Sequence, residues 1–310
     1  MTEARLACLS TTWSPQQRLH PGNLAWAHAR GDGSPAPTGT LSWGDPLAGF
    51  ADVWVDASGE GPAEVSMHVT PRASPEAASR FLAELLEAWP ELHVEVSTED
   101  RVLLPALQAA GFRVDPGPWF VQLWRRVDDL ADLTRHQPAP AYRIETVDPE
   151  QAAQVAARVD VHRRAWAPAR IKGLIGLEVT GAEPASSYSL DKHRAVMHTQ
   201  TYRPELDVVA VDRDGDVAAY ALGWYDERSR SLLFEPVGTD PAHAGRGLAR
   251  ALCAHLLRSA GRLGATDAVV GPRGDAGYPL PRRVYEGLGM GEVARFVTMT
   301  NEVSTGSTGR

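Results

Sequence analysis

The chain has 310 residues, 43% of them hydrophobic and 23% charged, with a formal net charge of -8. That length suffices for two domains with separate cores. The acidic balance argues against a general nucleic-acid binder and against attraction to an anionic membrane. Two cysteines, Cys8 and Cys253, lack a CxxC spacing, so neither a disulfide framework nor a metal site is expected. The start MTEARLACLSTTW lacks the cationic and apolar regions of a signal peptide. No stretch approaches the length of a membrane-spanning helix, and a cytoplasmic protein is the default expectation.

In chain order, SWGDPLAGFADVWV (42–55) reads as one strand, after a surface loop GDGSPAPTG (31–39). EVSMHVT (64–70) follows as a strand, 74–89 as a helix opened by Ser74 and Pro75, and LHVEVS (92–97) as a strand. A helix over 101–112 and a strand over 119–127 close this half. The stretch HQPAPAY, with two prolines and no apolar period, marks a linker before Tyr142.

The second half alternates more clearly. Strands are predicted over 142–147, 206–212, 218–226, 231–239, 267–271 and 292–300. Helices are predicted over 149–167, 248–264 and 282–289. In the second of these, Leu248, Leu252, Leu256 and Leu263 recur near the helical period, and Gly264 ends it. The closing segments of the halves, PALQAAGFRVD…FVQLWR and RRVYEGLGMGEVARFVTM, match in pattern, which points to an internal duplication.

The segment EPVGTDPAHAGRGLARAL (235–252) carries the chemistry. A strand runs into a loop with Gly245 and Gly247 and then into a helix. Glycines let a backbone approach a phosphate closely, and a helix start adds unpaired N–H groups and a partial positive charge. Arg246 and Arg250 are placed to add charge-assisted contacts. The loop lacks both the GK[ST] ending of nucleotide hydrolases and the GxGxxG of a dinucleotide fold. On its own, a GxG reads equally as a tight strand-to-helix turn.

Ala244-Gly-Arg-Gly-Leu-Ala249 resembles the loop of the GCN5-related N-acetyltransferase (GNAT) family, Arg/Gln-x-x-Gly-x-Gly/Ala, with Ala244 where the family has Arg or Gln. YPLPRRVYEGLGM (278–290) is similar to the tyrosine-containing helix and LGF turn of that family. The resemblance covers about residues 142–300. It implies an α+β fold of two GNAT-like domains, each a mixed, mostly antiparallel twisted sheet flanked by helices. These occupy 1–130 and 142–303, joined by a linker at 131–141 and followed by a disordered tail at 304–310. In the first half no glycine loop follows the strand MHVT, and Leu107 stands where the second half has Tyr285. The first domain therefore reads as degenerate, with a structural or substrate-wall role.

The resemblance also implies residue roles. Val237, Gly238 and Thr239 would bind the pantetheine arm, with the Val237 N–H polarising the thioester carbonyl. Ala244, Gly245, Arg246, Gly247, Leu248, Ala249 and Arg250 would hold the pyrophosphate of acetyl-CoA. Tyr285 would protonate the departing thiolate, and Glu235 would take a proton from the amine. Arg163, Trp166 and Asp226 are weaker acceptor-site residues, with His162 and Arg164 beside them. A solvated helix face with one packed Trp166 explains the 162–166 group as well. The expected activity is acetyl transfer to a primary amine of a small molecule, by direct attack in a ternary complex. The other function class is an acyl-CoA-binding regulatory protein without turnover. Acceptor identity, acyl length and oligomeric state, monomer or homodimer, stay open.

Overall fold

The computed structural model describes residues 2–29, 36–56, 61–128 and 130–301. The tail 304–310 and most of the loop at 31–39 lie outside the described residues. Two helices, α1 (Thr2–Thr12) and α2 (Pro21–His28), precede the first strands. The first half then runs β1 (Gly39–Trp43), β2 (Gly49–Trp54), β3 (Ala63–Val69), α3 (Pro75–Ala88), β4 (Leu92–Ser97), α4 (Leu103–Ala109), β5 (Arg113–Val114) and β6 (Phe120–Arg126). The segment 42–55 is a hairpin and not one strand. Pro46 has no N–H to give a ladder, and Gly44-Asp-Pro-Leu-Ala48 turns the chain, the Ala48 N–H donating to the Trp43 carbonyl at 2.7 Å. Ser74 accepts from the Ala77 N–H and caps α3 as its sequence predicts.

The second half contains β7 (Arg143–Thr146), α5 (Ala152–Ala165), α6 (Pro168–Leu174), α7 (Leu190–Met197), β8 (Asp207–Val211), β9 (Val217–Asp226) and β10 (Ser231–Thr239). It ends with α8 (Leu248–Leu263), β11 (Asp267–Val270), α9 (Leu280–Glu286) and β12 (Gly291–Thr300). No helix among the described residues is long and apolar enough to cross a membrane.

All twelve strands join one sheet in the order β1-β2-β3-β4-β12-β6-β11-β10-β9-β8-β7, with β5 beside β12. Most pairs are antiparallel; β3 with β4 and β10 with β11 are parallel. The closing strands are exchanged. β6, from the first half, lies against β11, and β12, from the second half, lies against β4. The cores follow the exchange. Val121 and Leu123 of β6 pack among second-half residues such as Leu232, Leu252 and Tyr285. Met299 of β12 packs with Val94, Leu107 and Phe112. The segment 131–141 starts as a 3-10 turn, Ala131–Arg135, whose Leu133 is fully buried in the same second-half core.

Candidate active site

The site opens where two parallel strands part. β10 and β11 pair only over Ser231–Leu233 and Asp267–Val269. Beyond that, a bulge between Phe234 and Val237 bends β10, and Pro236 offers no N–H to either neighbour. The tail of β10 stays with β9, while the chain after β11 stays with β6, the Val121 N–H donating to the Pro272 carbonyl at 3.0 Å. The gap between the two tails is a cavity of ≈ 740 Å³.

The Asp240 N–H donates to the Ala218 carbonyl at 2.9 Å. Antiparallel alternation then aims Gly238 at β9 and turns the backbone groups of Val237 and Thr239 toward the cleft. Gly238 is obligatory: a Cβ there would lie 2.6 Å from the Tyr220 ring and 2.8 Å from the Ala165 Cβ.

Val237, Gly238, Thr239, Ala249, Glu235, Tyr285 and Trp166 all line this cavity. Tyr285, on α9, is buried and stacks on Phe234 with ring centroids 6.0 Å apart. Burial holds its phenol well above the ordinary range, with the nearby Cys253 thiol and the Glu235 charge adding to the effect. Tyr285 therefore keeps its proton until a stronger base arises beside it. Cys253 is fully buried and its thiol is pushed far up by burial, so it supplies no thiolate nucleophile.

The other loop residues stand outside the cavity lining, with Ala249 as the point of contact. Gly245 and Gly247 have φ of 75° and 73°, and open space lies where a Cβ would stand. Gly247 is the N-cap of α8 with no side-chain cap bond, so the N–H groups of the first turn have no partner within the helix. Ala244 leads into this turn, and Leu248 is buried in the core, anchoring the helix start. Arg246 is folded onto Tyr142, donating to its hydroxyl. Arg250 lies over Gly287, the C-cap of α9, with its Nε buried and unmet. Arg164 of α5 donates to the Asp240 carboxylate and fixes the start of the loop. The turn is thus an open, glycine-lined helix start beside three cationic or imidazole side chains, His243, Arg246 and Arg250.

Of the acceptor-side candidates, Trp166 lines the cavity, while Arg163 and Asp226 lie outside it. Arg163 is exposed and absent from the lining. Asp226 is also absent from it; its carboxylate accepts from Ser10 at 2.8 Å and from Ser229, which makes it a turn residue. The packed member of the 162–166 group is His162, and Trp166 is the 37% exposed one. His162 lines the cavity, stacks on Tyr188 at 3.8 Å and shares a 2.9 Å hydrogen bond with the Tyr220 hydroxyl. Burial, then Arg158 and His193, push it down to about 2, so it carries no charge for an anion. Behind it, Arg158 and Asp207 form a fully buried ion pair at 3.0 Å.

The first half supplies part of the wall, through residues for which sequence reading assigned no role. Arg18, Asn23, Trp26 and Phe120 line the cavity. Arg18 lies over the Phe120 ring and pairs with Glu95 of β4 at 2.5 Å. His20 and Asn23 attach α2 to β10: His20 bonds the Ser231 hydroxyl at 2.8 Å, and Asn23 donates to the Glu235 carboxylate. The one sequence signal here was Pro21 at a helix-opening position. Arg170 of α6 and Tyr278 were also missed. Both line the cavity, and the Tyr278 phenol, raised by burial, is drawn back by the Arg170 charge.

Residues 177–276 match the acetyltransferase (GNAT) family. The chain resembles a GCN5-related N-acetyltransferase from Sphaerobacter thermophilus, with TM-score 0.57 and 18% identity over 97% of this chain and 91% of that one. A tandem GNAT protein from the clavulanic acid biosynthesis pathway gives TM-score 0.62 and 16% identity, covering 97% and 94%. A GCN5-related N-acetyltransferase from Kribbella flavida gives 0.52 and 17%, covering 91% and 95%. At these identities the likeness is one of fold. No curated relative matches the chain in sequence. Residues 177–276 thus carry the GNAT family match, and the whole chain has the fold of tandem GNAT proteins.

Proposed function

We propose that this chain is a tandem GNAT protein that transfers an acetyl group from acetyl-CoA to a primary amine of a small molecule, by direct attack in a ternary complex. The observation that carries this reading is the convergence of Glu235, Tyr285 and the Val237–Thr239 backbone on one cavity at the parting of β10 and β11. The uncapped start of α8 lies at the rim of that cavity, through Ala249.

In this account the pyrophosphate of acetyl-CoA accepts from the amides after Gly245 and Gly247, and its thioester lies along Val237 and Thr239. Glu235, directly or through water, takes a proton from the acceptor ammonium. The freed amine attacks the thioester carbonyl carbon, and the Val237 N–H stabilises the oxyanion. Collapse breaks the carbon–sulfur bond, and Tyr285 donates its proton to the leaving sulfur. The tetrahedral nitrogen sheds a proton that replaces it.

The acceptor carries an anionic group as well as the amine. Of the three arginines in the lining, Arg18 is offset by Glu95 and Arg273 by Asp275. Arg170 donates to the Ala165 carbonyl and has no ion-pair partner among the described residues. Arg170 would attract that anionic group, as Glu235 would attract the amine. The test is CoA release from acetyl-CoA with a panel of primary amines, each with and without a carboxylate. No CoA release with any amine would leave an acyl-CoA-binding protein without turnover.

A further inference from the structure

Asn23 belongs to the half of the chain that has no glycine loop, yet its amide is built against Glu235. The orientation of that amide is set by its surroundings. The His20 N–H donates to Asn23 Oδ1 at 2.8 Å, so the carbonyl end is committed to the cap of α2 and the Nδ2 end must face β10. There it donates to Glu235 Oε2. The cap is itself anchored. The Gly22 N–H donates to His20 Nδ1 at 2.9 Å, so His20 Nε2–H donates to Ser231 Oγ, four residues before Glu235 on the same strand. From β9, the Trp224 indole N–H donates to the Glu235 carbonyl at 2.6 Å and fixes the backbone beneath the carboxylate.

We propose that Asn23 is a positioning residue for the transfer reaction: it holds the Glu235 carboxylate ionised and aimed into the cleft, so that the first half completes the proton-accepting end of the second half's site. This rests on the reading of Glu235 as the proton acceptor. Other groups around Glu235 are Arg18 from the segment before α2, Tyr285 from α9, and the neutral His162 from α5. Arg18 is paired with Glu95, and Asn23 is the first half's hydrogen-bond donor to Glu235. A hydrogen bond to the charged form of a carboxylate favours that form, and a like charge in its place disfavours it.

The discriminating substitution is Asn23→Asp. It keeps an oxygen for the His20 N–H, so the cap of α2 survives, but it replaces the donor with a negative charge. Two readouts are taken on the full chain. One is the carbon-13 titration of the Glu235 carboxyl, identified by its loss in Glu235→Gln. The other is the pH profile of kcat/KM for acetyl transfer. Expected are protonation of Glu235 at a pH about one unit or more higher in Asn23→Asp, a smaller rise in Asn23→Ala, and the same displacement of the acid limb of the profile. The melting temperature of Asn23→Asp should stay within a few degrees of the parent. An unmoved carboxyl titration in both variants overturns the proposal. If Glu235→Gln retains full activity while the titration moves, the role of Glu235 in transfer fails and the hold of Asn23 on it stands.

Discussion

Tyr285 and Arg170 make separable statements about chemistry. The phenol of Tyr285 is buried, stacked on Phe234 and held protonated, which suits a group that gives up its proton only to a nascent thiolate. Tyr285→Phe keeps the ring and removes the proton. It should lower kcat by about 10²-fold or more while acetyl-CoA affinity hardly changes; an unchanged kcat would reduce Tyr285 to packing. Arg170→Gln should lower kcat/KM by about 10- to 10²-fold for amines bearing a carboxylate, the size of a hydrogen bond to a charged group. Their carboxamide analogues should be unaffected, and an equal loss for both would refute the anion contact. Glu235 and Tyr285 were legible in the sequence because a strand end and a helix fix their places. His162 was not, since its burial depends on Tyr188 and Tyr220, distant in sequence.

At the scale of elements, the second half was legible almost strand by strand, because period-two strands and the leucine spacing of α8 are local signals. The early helices α1 and α2 were not seen: α1 carries no strong apolar stripe, and α2 has eight residues with Trp26 and Leu24 buried by other elements. The exchange of β6 and β12 was illegible for a different reason. The two closing segments have the same pattern, so nothing local says which half each will join. The exchange changes what a fragment can do. Residues 135–310 alone would lack β6, the strand between β12 and β11, and would expose the core face that Val121 and Leu123 cover. Such a fragment should aggregate or unfold, with an open apolar patch and an unpaired strand edge. A monomeric, folded and active fragment, judged by circular dichroism, gel filtration and CoA release, would show that the first half is dispensable.

Four histidines are buried among the described residues: His20 at the start of α2, His68 on β3, His162 on α5 at the cavity and His193 on α7. Burial pushes His20, His68 and His193 down to about 4 and His162 to about 2, from an ordinary value of 6.5. The unfolded chain binds these protons from pH 6.5 downward, and the folded chain refuses them until about pH 4 or below. Stability should therefore be full above pH 6.5 and fall steadily between 6.5 and 4, by up to about 1.4 kcal/mol per pH unit for each histidine. Thermal melts across that range check this, and His20→Gln should flatten the slope; a flat profile from pH 7 to 4 would contradict the burial.

The fold unites two halves of similar outline around one proposed active-site cleft, and binding stoichiometry tests that asymmetry most directly. Calorimetric titration of the full chain with acetyl-CoA should give one site per chain, lost in Gly247→Asp, where a carboxylate would meet the pyrophosphate at the start of α8. Two equivalent sites, or binding untouched by that substitution, would contradict the account.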